Sequence, residues 1–175
     1  MNAPIRIFPL RRVAIGLGSS IGDRRAHLAR ALQALDRTDR TELVRVSRLV
    51  RTPPMRGGRA TGWFLNAVGI VRTSLSPAEL LEVCEALEHA SGRRRAGFWG
   101  DRTLDLDILI DEAGSVDEAR LQVPHPALVD RRFVTEPLRE VWPDAPLHQV
   151  GVTTGEWPSP PGPLPVLHGV LARPR

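Results

Sequence analysis

The chain has 175 residues, is 42% hydrophobic and carries a formal net charge of +4, which fits one domain with a sizeable core and is short for two. No apolar run approaches the roughly 20 residues of a membrane helix, and the opening MNAPIRIFPLRR lacks the apolar stretch of a secretory signal, so a cytoplasmic protein is expected. All 24 basic side chains are Arg, which excludes the Lys-dependent P-loop G-x-x-x-x-G-K-[ST] and leaves any phosphate chemistry to guanidinium groups; so mild a charge does not by itself argue for nucleic acid.

Residues 1–11 read as an irregular leader and 12–150 as a single domain. RVAIGLG (12–18) is a short apolar strand ending in glycines. A helix is expected within 19–37, where Leu28, Leu32 and Leu35 recur at i, i+4 and i+7. ELVRVSRLVRT (42–52) reads as one strand, stopped by Pro53 and Pro54, which have no N–H to donate to a ladder. MRGGRATG is a loop, and WFLNAVGIVRTSL (63–75) is the next strand. Ser76, Pro77 and Glu79 form a helix-start signature with a capping box, and Leu80, Cys84 and Leu87 continue at helical spacing. Cys84, the one cysteine, has no partner for an internal disulfide. SGRRRAGFWGD (91–101) is a Gly- and Arg-rich loop. A buried strand follows, with Leu104, Leu106, Ile108 and Ile110 on one face. The order βαββαβ predicts an α+β, ferredoxin-like fold: an antiparallel sheet, helices mainly on one face, and C-terminal additions. Residues 151–175 are Pro- and Gly-rich and are expected to be extended or mobile, outside the core.

Asp105 and Asp107 stand opposite the leucines of that last strand. Residues i and i+2 share a strand face roughly 6.5–7 Å apart, so two hard oxygen ligands converge on the face without helices. Such a pair suits Mg²⁺ with substrate phosphates, or two ions clamping a phosphoryl group; a merely solvated polar face is the plainer alternative. The Arg-rich loop before it, with Arg93, Arg94, Arg95 and Arg102, is either a solvated surface or a lid for polyphosphate. Trp99 is either its aromatic cover or a core residue. His125 and Arg131, six residues apart in VPHPALVDR, offer a second phosphate contact. Thr52 and Asn66 flank one hairpin loop as hydrogen-bonding groups, and Phe64 can stack on a planar ring. GLGSSIG (16–22) invites a dinucleotide-binding reading and fails it: its third glycine is one residue late for G-x-G-x-x-G, and Arg51 ends the second strand where an acid is needed. Its glycines are expected to make a tight strand-to-helix turn forming a pocket wall.

Taken in order, IGLGSSIGD, RTPPM, FLNA, FWGDRTLDLDIL, VPHP and RRFVTEPL resemble the 6-hydroxymethyl-7,8-dihydropterin pyrophosphokinases of folate biosynthesis, over roughly residues 12–140. The resemblance implies transfer of pyrophosphate from ATP to the pterin hydroxymethyl group, with release of AMP. It implies that Asp105 and Asp107 hold two Mg²⁺ ions and that Arg93 and Arg102 act on the phosphates with them. Arg95, His125 and Arg131 would bind ATP. Phe64 and Phe133 would sandwich the pterin, with Thr52, Pro53, Met55 and Asn66 around its edges and Trp99 sealing the site. The implied partners are these two small molecules, with no nucleic acid, no membrane and a monomeric state. Four positions depart from the family pattern. Ser20 replaces a usual Asn, Phe64 a frequent Tyr, Phe98 a basic residue, and Asp101 the usual Pro before Arg102, the last expected to loosen a hinge and set a carboxylate beside Arg102. Thr135 and Glu136 also stand where apolar residues are usual. A non-catalytic pterin- or nucleotide-binding relative is the alternative. An RNA-binding βαββαβ domain would need exposed aromatics on the central strands, where Asp105 and Asp107 stand instead.

Overall fold

The computed structural model describes residues 8–54, 59–92, 100–152, 157–158 and 166–170, the last as backbone. The elements run β1 (Arg11–Ser19), α1 (Arg24–Asp36), β2 (Thr41–Val46), β3 (Arg48–Thr52), β4 (Phe64–Thr73), α2 (Pro77–Ala90), β5 (Asp105–Asp111), β6 (Val116–Glu118), β7 (Leu121–Val123), α3 (Arg132–Val141) and β8 (Val166–Val170). The main sheet has the order β5-β1-β4-β3-β8, with β2 also on β4, and every described pairing in it is antiparallel. This is the ferredoxin-like α+β arrangement read from the sequence.

The helix starts follow local chemistry. At α2, the Ser76 hydroxyl accepts from Glu79 N (3.1 Å) and the Glu79 carboxylate accepts from Ser76 N (2.6 Å), the expected capping box. At α1, Gly22 takes φ +68°, a conformation open to glycine. Asp23 then caps the helix by accepting from Ala26 N at 3.0 Å. The helix therefore begins at Arg24, inside the expected range.

Helices α1 and α2 cover one sheet face. Leu28, Leu32 and Leu35 from α1 and Leu80 and Cys84 from α2 pack there on Val13, Ile15, Leu17, Leu106 and Ile108. Each fully buried leucine contributes about 1.5–3 kcal/mol. The β6–β7 hairpin closes an edge of this layer with Leu121 and Val123. A buried ion pair joins the ends of β1 and β5. Arg11 Nη2 lies 2.9 Å from Asp111 Oδ2, and Arg11 Nη1 donates to Thr73 O and Leu75 O.

Three features differ from the sequence reading. Residues 42–52 are two strands, broken at Ser47. Its hydroxyl accepts from Val68 N (2.9 Å) and its N–H donates to Val68 O (2.9 Å), so a side chain replaces a ladder carbonyl at the break. Ile110 is not on the face of Leu106 and Ile108. The β1–β5 register shifts so that Ile15 pairs with Ile108 but Ala14 with Ile110. The extra residue, Leu109, makes a β-bulge, and Leu109 and Ile110 both join the core of the second face. That second face is partly covered. The α3 side chain Leu138, with Val141 and Trp142, packs there on Ala14, Val68, Ile70 and Ile110, while the end that carries Asp105 and Asp107 lines a cavity. Within the expected extended tail, β8 pairs with β3. No helix among the described residues is long and apolar enough to cross a membrane.

Candidate active site

A cavity of about 290 Å³ opens at the uncovered end of the second face. Its floor is set by strand register. Asp105 pairs with Gly18, and Gly18 with Asn66; Asp107 pairs with Gly16, and Gly16 with Val68. The two β1 glycines thus separate the acid pair of β5 from the polar edge of β4. A Cβ at Gly18 would stand 3.2 Å from Asn66 Oδ1, and one at Gly16 would stand 3.2 Å from Leu109 Cδ2. These glycines are in the strand, as floor; the turn conformation belongs to Gly22. Their i, i+2 spacing opposite two Asp is the signal that marks them.

The cavity gathers Thr52, Pro53, Phe64, Asn66, Arg102, Asp105, Asp107, His125, Arg131 and Phe133, all singled out from the sequence. Met55, Arg93, Arg94, Arg95, Phe98 and Trp99 lie outside the described residues. Leu109, Ala127, Leu128 and Val134 also line it and carry no sequence signal beyond being apolar.

On the acidic side, Arg102 Nη1 donates to Asp105 Oδ2 at 2.9 Å, with the two side chains 20% and 22% exposed. The pair is therefore within reach of a ligand. Asp107 is held above the ordinary carboxylate range, first by burial and then by the charge of Asp105; His125, Arg131 and Arg102 offset part of this. The Leu106 N–H between the two acids donates to Glu88 Oε1 of α2 (2.7 Å), which fixes the outer edge of β5.

The bulge positions the histidine. The carbonyl of Leu109, its extra residue, accepts from His125 N at 2.8 Å. His125 Nδ1 accepts from Ala127 N at 3.1 Å, which assigns the ring proton of the neutral form to Nε2. Arg131 is the N-cap residue of α3, at the helix end that favours anions. Its guanidinium carbon lies 5.9 Å from the Phe133 ring centre, and that of Arg102 lies 5.9 Å from Phe64. Across the floor, Asn66 Nδ2 donates to Thr52 Oγ1 at 2.9 Å, leaving the Asn66 carbonyl oxygen to accept. Among the described residues no group of three or more His, Cys, Asp or Glu can hold a metal ion on its own.

Asp101 does not sit as the sequence reading expects. Burial pushes its carboxyl upward, but hydrogen bonds from Thr61 N, Ser20, Gly62 N and the Thr61 hydroxyl outweigh this and hold it below the usual range. The Arg102 guanidinium pairs with Asp105 instead.

Solved structures of Plasmodium falciparum HPPK-DHPS share this fold. One, with STZ-DHP, has a TM-score of 0.62 at 12% identity over 81% of this chain; another scores 0.60 at 12% identity over 78%. This chain spans only 41% and 42% of those longer chains. The chain thus has a ferredoxin-like sheet whose open end gathers two carboxylates and two arginines in one cavity. Residues 14–143 match the family model of 7,8-dihydro-6-hydroxymethylpterin-pyrophosphokinase (HPPK), and the chain belongs to that family. It is 44% identical over 135 residues to the 2-amino-4-hydroxy-6-hydroxymethyldihydropteridine pyrophosphokinase of Methylorubrum extorquens, covering 77% of this chain and 85% of the relative. Identity to the Bacillus subtilis enzyme of the same name is 40% over 127 residues, covering 73% and 75%.

Proposed function

We propose that this chain transfers pyrophosphate from ATP to the hydroxymethyl oxygen of 6-hydroxymethyl-7,8-dihydropterin and releases AMP. One observation carries the reading: the Asp105–Asp107 pair shares a single cavity with Arg102, Arg131 and His125 and with Phe64, Thr52 and Asn66. Anion-binding and ring-binding groups thereby share one cavity with the acid pair.

The donor set fits Mg²⁺. Two hard carboxylates adjoin, and Asp107 carries a charge that its surroundings disfavour, which a cation relieves. Asp105 and Asp107 would hold the ions, two being expected, and Mg²⁺ bound there would supply neutralisation of phosphate charge. Arg102 binds phosphate oxygens through its guanidinium fork. His125 donates from Nε2, and Arg131 adds a second cation at the α3 N-terminus. Phe64 and Phe133 hold the pterin ring, Asn66 accepts from its polar edge, and Pro53 with Thr52 borders it. Arg93, Arg95, Met55 and Trp99 keep the roles implied by resemblance. The cavity needs no nucleophile–base pair, because this transfer depends on positioning and charge stabilisation. A monomeric state stays as the resemblance implies it, and the single, buried Cys84 suits a cytoplasmic setting.

The test is AMP formation from ATP and the pterin, with and without Mg²⁺. AMP that depends on both, without inorganic phosphate, is the expected result. Absence of AMP with pterin or ATP still bound would overturn the transfer reading in favour of a binding-only relative.

A further inference from the structure

Three segments that are distant in sequence meet at one junction, around Gly62. Asp101 Oδ2 accepts from Thr61 N (3.2 Å) and Thr61 Oγ1 (3.1 Å), and Asp101 Oδ1 accepts from Gly62 N (3.3 Å). Ser20 brackets the next residue: Ser20 N donates to Arg102 O (2.9 Å) and Ser20 Oγ accepts from Arg102 N (2.9 Å). Packing at the junction is close. A Cβ at Gly62 would stand 2.7 Å from Ser20 O, so residue 62 must be glycine for the segments to approach this far. Both segments border the cavity. Ala60 and Phe64, on either side of Thr61–Gly62 in the chain, line it, and so does Arg102, which follows Asp101.

Two of the departures noted in the sequence thus lie at one junction: Ser20 holds the Arg102 backbone, and the Asp101 carboxylate holds Thr61 and Gly62. Ser20 stands where an Asn is usual and Asp101 where a Pro is usual, and a proline has no side-chain acceptor for Thr61 and Gly62. We propose that Asp101, with Ser20, is a positioning residue: its carboxylate latches the β3–β4 connection to the Arg102 segment and sets the ring-binding wall against Arg102 before substrates bind. This deepens the proposed transfer reaction and rests on it for its kinetic consequence only. A latch of this kind lowers the ordering cost that substrate binding has to meet. Saturating substrate restores the geometry, so the effect falls on KM more than on kcat.

The test compares wild type with Asp101→Ala, Asp101→Asn and Ser20→Ala in the full chain. Amide hydrogen exchange at Thr61 and Gly62, without ligand, should quicken about 10-fold or more in Asp101→Ala, the scale of losing a charged acceptor. Asp101→Asn keeps one acceptor oxygen and should fall between the two. The pterin KM should rise about 5–10-fold in Asp101→Ala with kcat within about 3-fold of wild type, and Asn should rescue part of the loss. Ser20→Ala combined with Asp101→Ala should cost less than the sum of the two, because they share one junction. Unchanged exchange at Thr61 and Gly62 would overturn the latch whatever the kinetics. Faster exchange with KM unmoved would overturn the positioning role. A wild-type chain that forms no AMP would overturn the transfer reading instead, and the exchange rates would still decide the latch.

Discussion

Replacing Asp107 by Asn should stabilise the fold while removing activity. Burial and the neighbouring Asp105 charge hold Asp107 above its usual range, so its ionised form costs folding free energy. Asn keeps the shape and removes the charge. The sign follows from linkage: the folded state holds this proton more tightly than the unfolded chain, so the penalty is absent below about pH 4 and grows as pH rises through the raised folded value. Each unit of elevation is worth about 1.4 kcal/mol. A gain of about 1 kcal/mol in a domain of this size raises Tm by roughly 2–4 °C. Calorimetry without divalent cations should therefore find Asp107→Asn more stable than wild type at pH 7.5 and level with it near pH 4. Turnover should fall by at least about 10²–10³-fold, the scale of losing one preorganised charge-stabilising group. Mg²⁺ with ATP should raise the Tm of wild type far more than that of the variant. A variant less stable than wild type at pH 7.5 would refute the electrostatic reasoning, since Arg102, His125 and Arg131 would then outweigh burial. A near-wild-type rate would sink the metal assignment.

Other expectations follow from the same geometry. Gly18→Ala places a methyl 3.2 Å from Asn66 Oδ1 and 3.7 Å from Asp105 Cβ; the protein should fold normally and the pterin KM should rise about tenfold, a loss of about 1.4 kcal/mol. Asp111→Ala strands the buried Arg11 guanidinium and should cost about 3–5 kcal/mol, lowering Tm by roughly 6–20 °C; Arg11→Met in the same chain should recover much of it. Glu79 is held down to about 2, first by its hydrogen bond from Arg40 and then by Ser76. Its stabilisation is complete above pH ~4.5 and fades as pH falls toward the folded value. The Tm gap between wild type and Glu79→Gln should be open at pH 6 and close as pH approaches 2, as thermal melts across that range will read.

Much of the site was legible in sequence because its residue types are scarce and their order is strict. The alternation around Asp105 and Asp107 places both acids on one strand face by pleat geometry alone. Ser76, Pro77 and Glu79 announce a helix start because capping is settled within four residues. The periodicity failed where one local event shifted its phase. The bulge at Leu109 moves Ile110 to the second core and turns an apparently regular strand into one that supports both layers. Ser47 breaks a strand that reads as continuous, because its hydroxyl takes the place of a backbone partner on β4.

Asp101 shows the boundary most clearly. Its identity suggested a looser hinge and a carboxylate beside Arg102, and gave no partner for that carboxylate. Its hydrogen bonds run to Thr61 and Gly62, some 40 residues away in the chain. The sequence by itself determined the start of α2, the acid pair and its face, and the family. The tertiary structure alone decided that Gly16 and Gly18 form a cavity floor, that α3 covers the rest of that face, and which donors Asp101 meets. Faces and caps depend on neighbours within a few residues, whereas a hydrogen-bond partner or a cavity wall depends on which distant segments the sheet brings together.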